Sequence, residues 1–241
     1  MRDNSLFLKG LSELNIELDA HQLEQFEKYY DLLTEWNQVM NLTAITEWDE
    51  VIVKHFIDSL SLVKVVTNMT QVSYSLIDVG TGAGFPGIPL KIAFPKLRVT
   101  LLDSLNKRVT FLNEVINQLG LKDITAVHGR AEDFGRNSSY REAFDIVVSR
   151  AVSNMAVLSE LCIPFVKVGG RFIPYKSEKK DEEYESSLHA VSVLGGSYSS
   201  SSEFTLPCSE YYRILYSISK DKPTPNKYPR KAGTPAKSPI N

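Results

Sequence analysis

The chain has 241 residues, 43% hydrophobic and 23% charged, with a net charge of −2; this is ordinary globular composition and singles out no partner. Two cysteines, Cys162 and Cys208, are too few for a disulfide framework, and neither sits in a cluster suited to structural zinc, so no metal is expected. No run approaches the ~20 apolar residues of a membrane span, and Met1-Arg2-Asp3-Asn4 opens no signal peptide, so a cytoplasmic protein without membrane contact is expected.

In chain order, an acidic amphipathic start is followed by Leu23, Phe26, Tyr30, Leu33, Trp36 and Met40 at three- and four-residue steps, one stripe of a helix over Ala20–Met40. Asn41-Leu42-Thr43 ends it. A second helix is predicted over Asp49–Val66, with Thr46 as N-cap and Asp49 and Glu50 near its positive end. Residues 1–70 thus form a predicted helical subdomain. From Tyr74 the pattern changes to βα units, with strands predicted at Ser75–Val79, Arg98–Asp103, Ile124–Val127, Phe144–Ser149 and Arg171–Tyr175. The helix Leu105–Leu119 closes on Gly120 as the residue past its end. After a helix over Glu178–Val191, segments Val193–Tyr198 and Tyr212–Ile218 suit an antiparallel hairpin at the sheet edge. The expectation is an α/β domain over residues 71–219, a parallel sheet covered on both faces. Residues 220–241 form a tail with six basic side chains against Asp221 alone, whereas residues 1–50 carry three against eleven acidic ones. Such a tail is either solvated or phosphate-facing.

The richest segment is Leu76-Ile77-Asp78-Val79-Gly80-Thr81-Gly82-Ala83-Gly84-Phe85-Pro86-Gly87, an apolar strand running through glycines into a helix. Glycines let a ligand lie against the backbone, and the helix start offers free N–H groups to an anion. Gly82-x-Gly84-x-x-Gly87 matches the dinucleotide fingerprint, and Asp78-x-Gly80-x-Gly82-x-Gly84 matches the loop that binds S-adenosylmethionine. Three features favour the second. Asp78 would attract an ammonium group and repel a pyrophosphate. Pro86 falls where phosphate binding wants a backbone donor. A helical region also precedes the strand. The rival is an NAD(P)-dependent oxidoreductase or nucleotide sensor on the same loop.

Asp103 ends the second strand, 23 residues after Gly80, where a ribose diol is gripped in either cofactor class; it or Ser104 could instead cap the next helix. His128-Gly129-Arg130-Ala131-Glu132 follows the third strand, where Ala131 and Glu132 would border an adenine, with His128 read as structural. The fourth strand delivers Ser149-Arg150-Ala151-Val152 to the carboxyl edge, where an arginine faces cofactor or substrate; Arg150 is the candidate positioning residue for catalysis. The loop lacks the Asn/Asp-Pro-Pro-Tyr pattern of amino-group methylation, and neither Cys162 nor Cys208 sits where a pyrimidine-attacking thiolate is needed. An acceptor with a free lone pair, such as guanine N7, would need neither device, only placement.

The chain resembles, over essentially its full length, the bacterial small-subunit ribosomal RNA methyltransferase G family, also called glucose-inhibited division protein B. The resemblance rests on Glu35-Trp36-Asn37 with Asn41-Leu42-Thr43, His55-Phe56-Ile57-Asp58-Ser59-Leu60, the glycine loop through Leu90, Leu102-Asp103-Ser104, His128 to Glu132, Ser149-Arg150-Ala151 and the tail Tyr228-Pro229-Arg230-Lys231-Ala232-Gly233-Thr234-Pro235. It implies a class I, Rossmann-like methyltransferase with a seven-stranded sheet, acting with S-adenosylmethionine on N7 of a guanine in 16S rRNA near the decoding site. It also implies cofactor contacts at Gly80, Phe85, Ala131, Glu132 and Arg150, with Asp103 and Ser104 near the ribose, beside the Asp78 and Gly82 contacts expected from the loop itself. The tail would meet RNA through Lys227, Arg230 and Lys231, while Trp36, Asn37, Asn41 and His55 would either border the target base or serve core packing and helix-end capping. Lys176-Ser177 departs from the Lys-Gly expected there. A monomer is expected. A ribosome-assembly factor that retains cofactor binding without catalysis is the second rival.

Overall fold

The computed structural model describes residues 2–150, 153–177 and 181–240. The N-terminal region begins with α1 (Ser5–Glu13), a helix with no range assigned above, and α2 (Ala20–Met40). A capping box sets the start of α2: Asp19 Oδ1 accepts the Gln22 N–H while the Gln22 side chain accepts from the Asp19 N–H. Asn41, in the left-handed region at φ 50°, ends it.

The next helix is one continuous but irregular run. α3 (Trp48–Val51) passes into a π-helical turn, Ile52–Ile57, then α4 (Asp58–Leu60) and a 3-10 turn, Ser61–Lys64. Thr46 is not its cap. Glu47 stands at that position with no side-chain hydrogen bond, and the Thr46 carbonyl instead accepts from Tyr30 Oη at 2.8 Å. The π turn is a local device often found at functional sites, and here it carries His55.

Seven strands follow in the order β3-β2-β1-β4-β5-β7-β6. They are β1 (Ser75–Val79), β2 (Arg98–Asp103), β3 (Ile124–His128), β4 (Phe144–Ser149), β5 (Val166–Lys176), β6 (Gly196–Thr205) and β7 (Tyr212–Lys220). β1 to β5 are parallel neighbours; β7 runs antiparallel to β5 and to β6, which forms the edge. The antiparallel pair is present, but β6 starts later than expected, because the preceding helix runs to Val193 and Gly195 turns the chain at φ 90°, and it extends through the Ser-rich residues to Thr205.

The intervening helices are α5 (Gly87–Ala93), α6 (Asn106–Gln118), α7 (Ala131–Phe134), α8 (Met155–Cys162) and α9 (Asp181–Val193). Gly120, at φ 63°, closes α6 in a Schellman arrangement, its N–H bonded to Asn117 O and that of Leu121 to Ile116 O. The predicted start of α9 at Glu178 lies outside the described residues.

Two apolar cores flank the sheet. One unites Phe7, Phe26, Tyr29 and Phe56 with Phe85, Ile88, Phe111 and Leu215, so the N-terminal helices and the sheet share it. The other joins Val147, Phe172 and Ile218 to α8, α9 and the tail's Ile240. The tail is thus docked, not loose: Thr224, Pro229, Pro235 and Ile240 are buried, and it ends in α10 (Thr234–Lys237). Among the described residues, no helix is long and apolar enough to cross a membrane.

Candidate functional site

The glycine loop leaves β1 at the carboxyl edge of the sheet, where open α/β sheets bind ligands. Asp78, fully buried, braces it from within: Oδ2 accepts from Thr81 Oγ1 at 2.6 Å and from the Gly87 N–H at 2.9 Å. Its other oxygen, Oδ1, is buried with no hydrogen-bond partner. Burial, opposed by those two hydrogen bonds, pushes the carboxyl up to about 6. An orphaned carboxylate oxygen costs free energy unless something supplies a donor or a positive charge.

The loop is held from outside by α2. Tyr29 Oη donates to the Ala83 carbonyl at 2.5 Å, and burial drives this phenol well above its ordinary pKa, so it stays a donor. Tyr29 also explains Gly84, whose φ is 102° and where a Cβ would fall 2.7 Å from the Tyr29 oxygen. Across the crevice Asp103 accepts the Gly82 N–H with Oδ2 and the Leu105 N–H with Oδ1, both at 2.9 Å, and Arg108 lies 3.3 Å from it. Asp103 therefore both braces the loop and caps the entry to α6. Ser104 is exposed and does not cap that helix; only its carbonyl is engaged, by His128 Nε2 at 3.2 Å.

Arg150, at the end of β4, is the hub of a network that the sequence motifs only partly foretold. Its Nη1 donates to Asp58 Oδ2 at 2.8 Å and to the Lys54 carbonyl at 3.0 Å, and Nη2 lies 3.0 Å from His55 Nδ1. The guanidinium carbon sits 5.2 Å from the centre of the Phe85 ring. His55 stacks on the same ring, centroids 4.4 Å apart and planes at 17°. Asp58 turns its second oxygen to Arg213 Nε of β7, at 2.8 Å.

Arginine can only donate, so Nδ1 of His55 must accept, and the proton resides on Nε2, 3.0 Å from Thr43 Oγ1. The Lys54 carbonyl, 3.1 Å from Nδ1, would favour the opposite tautomer, but it is already served by Arg150 Nη1. Burial, reinforced by the Arg150 charge, lowers the His55 pKa to about 3. The imidazole is neutral with its lone pair engaged, and is unsuited to act as a base.

Beyond β3, Ala131 and Glu132 open the short helix α7, and Glu132 Oε1 accepts the Gly233 N–H of the tail at 2.8 Å. Of the three tail residues expected to meet RNA, Lys227 and Lys231 are exposed. Arg230 is not so placed: Nε and Nη2 grip Glu160, which is fully buried on α8, and its backbone N–H bonds the same carboxylate at 2.7 Å. Its half-buried guanidinium is paired with a buried carboxylate, where a freely presented cation was expected.

Other candidates fall elsewhere. Asn37 Oδ1 accepts the Thr43 N–H, and Trp36 packs at 5.8 Å from the Phe111 ring, both structural placements. Cys162 is buried, which raises its thiol pKa well above normal, and Cys208 packs near α1 by Leu6 and Glu13. Ala151 and Val152 lie outside the described residues. Asp58, Arg213 and Tyr29 join the site without a signal in the sequence, although Asp58 lies in the family stretch His55–Leu60. Among the described residues, no group of three or more His, Cys, Asp or Glu could hold a metal.

Comparison with known proteins gives this crevice a family. The profile described as GidB, rRNA small subunit methyltransferase G, matches residues 22–210. The chain belongs to this family. It is similar to the ribosomal RNA small subunit methyltransferase G of Lachnoclostridium phytofermentans, 59% identical over 240 residues that cover 100% of this chain and 98% of the relative. That of Alkaliphilus metalliredigens is 52% identical, covering 100% of both chains.

Solved structures agree on the fold alone. A SAM dependent methyltransferase from Aquifex aeolicus superposes with TM-score 0.53 at 18% identity, covering 74% of this chain and 96% of that one. The Haloferax volcanii complex of the Trm112 activator with a putative methyltransferase gives 0.57 at 12% identity, covering 79% and 98%. The family's cofactor, S-adenosylmethionine, fits the donor set here. The buried Asp78 Oδ1, without a hydrogen-bond partner, could accept from its ammonium group, the buried Phe85 could wall it, and Asp103 at the end of β2 could meet its ribose.

Proposed function

We propose that the protein transfers a methyl group from S-adenosylmethionine to N7 of a guanine in 16S rRNA, in the loop near the decoding site. The observation that carries this reading is the buried, unpartnered Oδ1 of Asp78 against the glycine loop. A pyrophosphate in its place would meet an anion, which argues against a nicotinamide cofactor. When bound, S-adenosylmethionine supplies an electrophilic methyl group on a sulfonium.

The chain's own residues would orient and exclude water. Asp78 holds the amino-acid end, Gly80 and Gly82 let the backbone approach, Phe85 walls the crevice, and Asp103 and Ser104 stand at the ribose. Ala131 and Glu132 border the adenine. Arg150 is fixed on Asp58 and stacked over Phe85, and so presents a cation of set position beside the methyl donor. Guanine N7 has a lone pair and no proton to lose, so the reaction needs alignment and not a base. A His55 held neutral, with Nδ1 committed to Arg150, accords with that demand. Lys227 and Lys231 would meet RNA phosphates without reading sequence, and the protein would act as a cytoplasmic monomer.

The deciding test adds the purified protein and tritiated S-adenosylmethionine to small subunits from a strain lacking the gene, and maps the label by strand scission at N7-methylguanine. Label at one guanine is expected. Cofactor binding without incorporation into 16S rRNA would instead identify a non-catalytic assembly factor.

A further inference from the structure

The C-terminal tail lies beyond residues 22–210, the span matched by the family profile, yet it is docked on the α/β domain against the segment before β4, α8 and α7. Arg141 gathers its first part, donating to the carbonyls of Thr224, Pro225 and Tyr228. Pro229 is buried against Gly135, where a Cβ would come within 3.0 Å of its ring. Arg230 then binds Glu160 by four hydrogen bonds of 2.6–3.1 Å, one from its backbone. Three residues on, a turn closed by the Thr234 N–H on the Lys231 carbonyl brings Gly233, at φ 80°, to donate to Glu132. The tail thus holds both ends of α7, Glu132 at its start and Gly135 just past its finish.

α7 has only four residues and cannot be stable on its own account. Its position comes from packing, and the tail supplies much of it. We propose that Arg230 is a positioning residue for cofactor binding: anchored on Glu160, it keeps Gly233 on Glu132 and so fixes the Ala131–Glu132 turn that closes the nucleoside end of the crevice. This rests on the reading of that crevice as the S-adenosylmethionine site. It assigns Arg230 to the cofactor rather than to RNA, and makes tail docking and cofactor binding mutually reinforcing.

Linkage makes the effect reciprocal. In the wild-type protein, saturating S-adenosylhomocysteine should slow hydrogen exchange at the Gly233 amide, whose partner is the Glu132 carboxylate. Arg230→Ala should weaken S-adenosylhomocysteine by about tenfold in calorimetry, the usual scale of such coupling. The KM for cofactor should rise while the KM for RNA holds. Arg230→Ala leaves Glu160 buried without its partner; should that chain not fold, Arg230→Lys keeps the charge, loses the fork, and should give a smaller loss of the same kind. An indifferent Gly233 amide overturns the proposal. So does an unchanged dissociation constant in a folded variant, and so does a variant whose only defect is in RNA. A wild-type protein with no affinity for S-adenosylhomocysteine would sink the cofactor reading itself, and the proposal with it.

Discussion

The two ends of the crevice are built in opposite ways. At the amino-acid end, the central brace lies within ten residues: Asp78 reaches Thr81 and Gly87, and the loop folds over its own carboxylate. Tyr29 and Asp103 add holds from 54 and 21 residues away. At the nucleoside end, α7 is held by partners about a hundred residues away, Gly233 and Pro229. A local device is written as a motif and can be read. A device assembled from distant segments shows only as residue types whose purpose depends on where the chain returns. The first end should fail abruptly when its own residues change, and the second should fail by degrees.

The largest effect is expected from Gly84→Val. The residue occupies φ 102°, which a β-branched side chain scarcely adopts, and its Cβ would lie 2.5 Å from Ile88 Cδ1 and 2.7 Å from Tyr29 Oη. Strain and overpacking together should cost about 3 kcal/mol or more in stability by urea titration and abolish cofactor binding. Wild-type stability with intact binding would show that the loop is not held by α2.

Asp58→Asn comes next. Asp58 is buried and joined to both Arg150 and Arg213; with its charge removed, two guanidiniums face one another uncompensated. A loss of about 3 kcal/mol in stability is expected, the scale for a buried ion pair deprived of one partner, with methyl transfer falling further than cofactor affinity. Equal falls in both would place Arg150 at the cofactor alone.

Asp78→Asn sharpens the comparison through pH. Because burial raises this carboxyl to about 6, above its unfolded value, the folded protein holds the extra proton between those two values. Its contribution to stability is therefore full at low pH and is lost as pH rises through about 6. His55 has the opposite slope: its pKa falls to about 3, so stability declines as pH drops below the ordinary imidazole value. Taking the difference in melting between wild type and Asp78→Asn cancels the histidine and should isolate the falling limb. Cofactor affinity should strengthen across the same interval, as the carboxylate ionises, and be flat in Asp78→Asn, weaker by about 2 kcal/mol at neutral pH. A parallel pH dependence in both proteins would remove Asp78 from the ammonium site.

These contrasts also explain what could be read from the chain. The first four strands were legible because each is a short run rich in apolar residues, and α2 because its stripe is regular. The Ser-rich half of β6 and the glycine-bearing start of β5 lack that signal. The π turn was not, since a run of Ile52, Val53, Phe56 and Ile57 fits an ordinary helix equally well. Asp58 stood in a quoted motif without a role, because its partners Arg150 and Arg213 lie 92 and 155 residues on. Tyr29 fell beside the predicted stripe, which took Tyr30 instead, yet Tyr29 is the buried one. Arg230 misled for a physical reason: a cation in a basic tail looks solvated until the buried Glu160 that neutralises it is seen.

The smallest effect should separate the remaining lysines from that arginine. Lys227 and Lys231 are exposed on a segment docked by Arg230 and Pro229, so their charges are presented from a fixed backbone. The double change Lys227→Ala and Lys231→Ala removes two cations and no buried side chain, and loses the contact of Lys227 with the Tyr228 ring. Folding and cofactor affinity should hold, while the slope of log RNA affinity against log salt flattens by about 1.5, the counterions two phosphate contacts release. The loss should be uniform across RNA sequences, because phosphate contacts position without specifying. An unchanged slope would leave the tail with one task only, the bracing of α7 through Arg230, and would move the RNA surface to another face of the sheet edge.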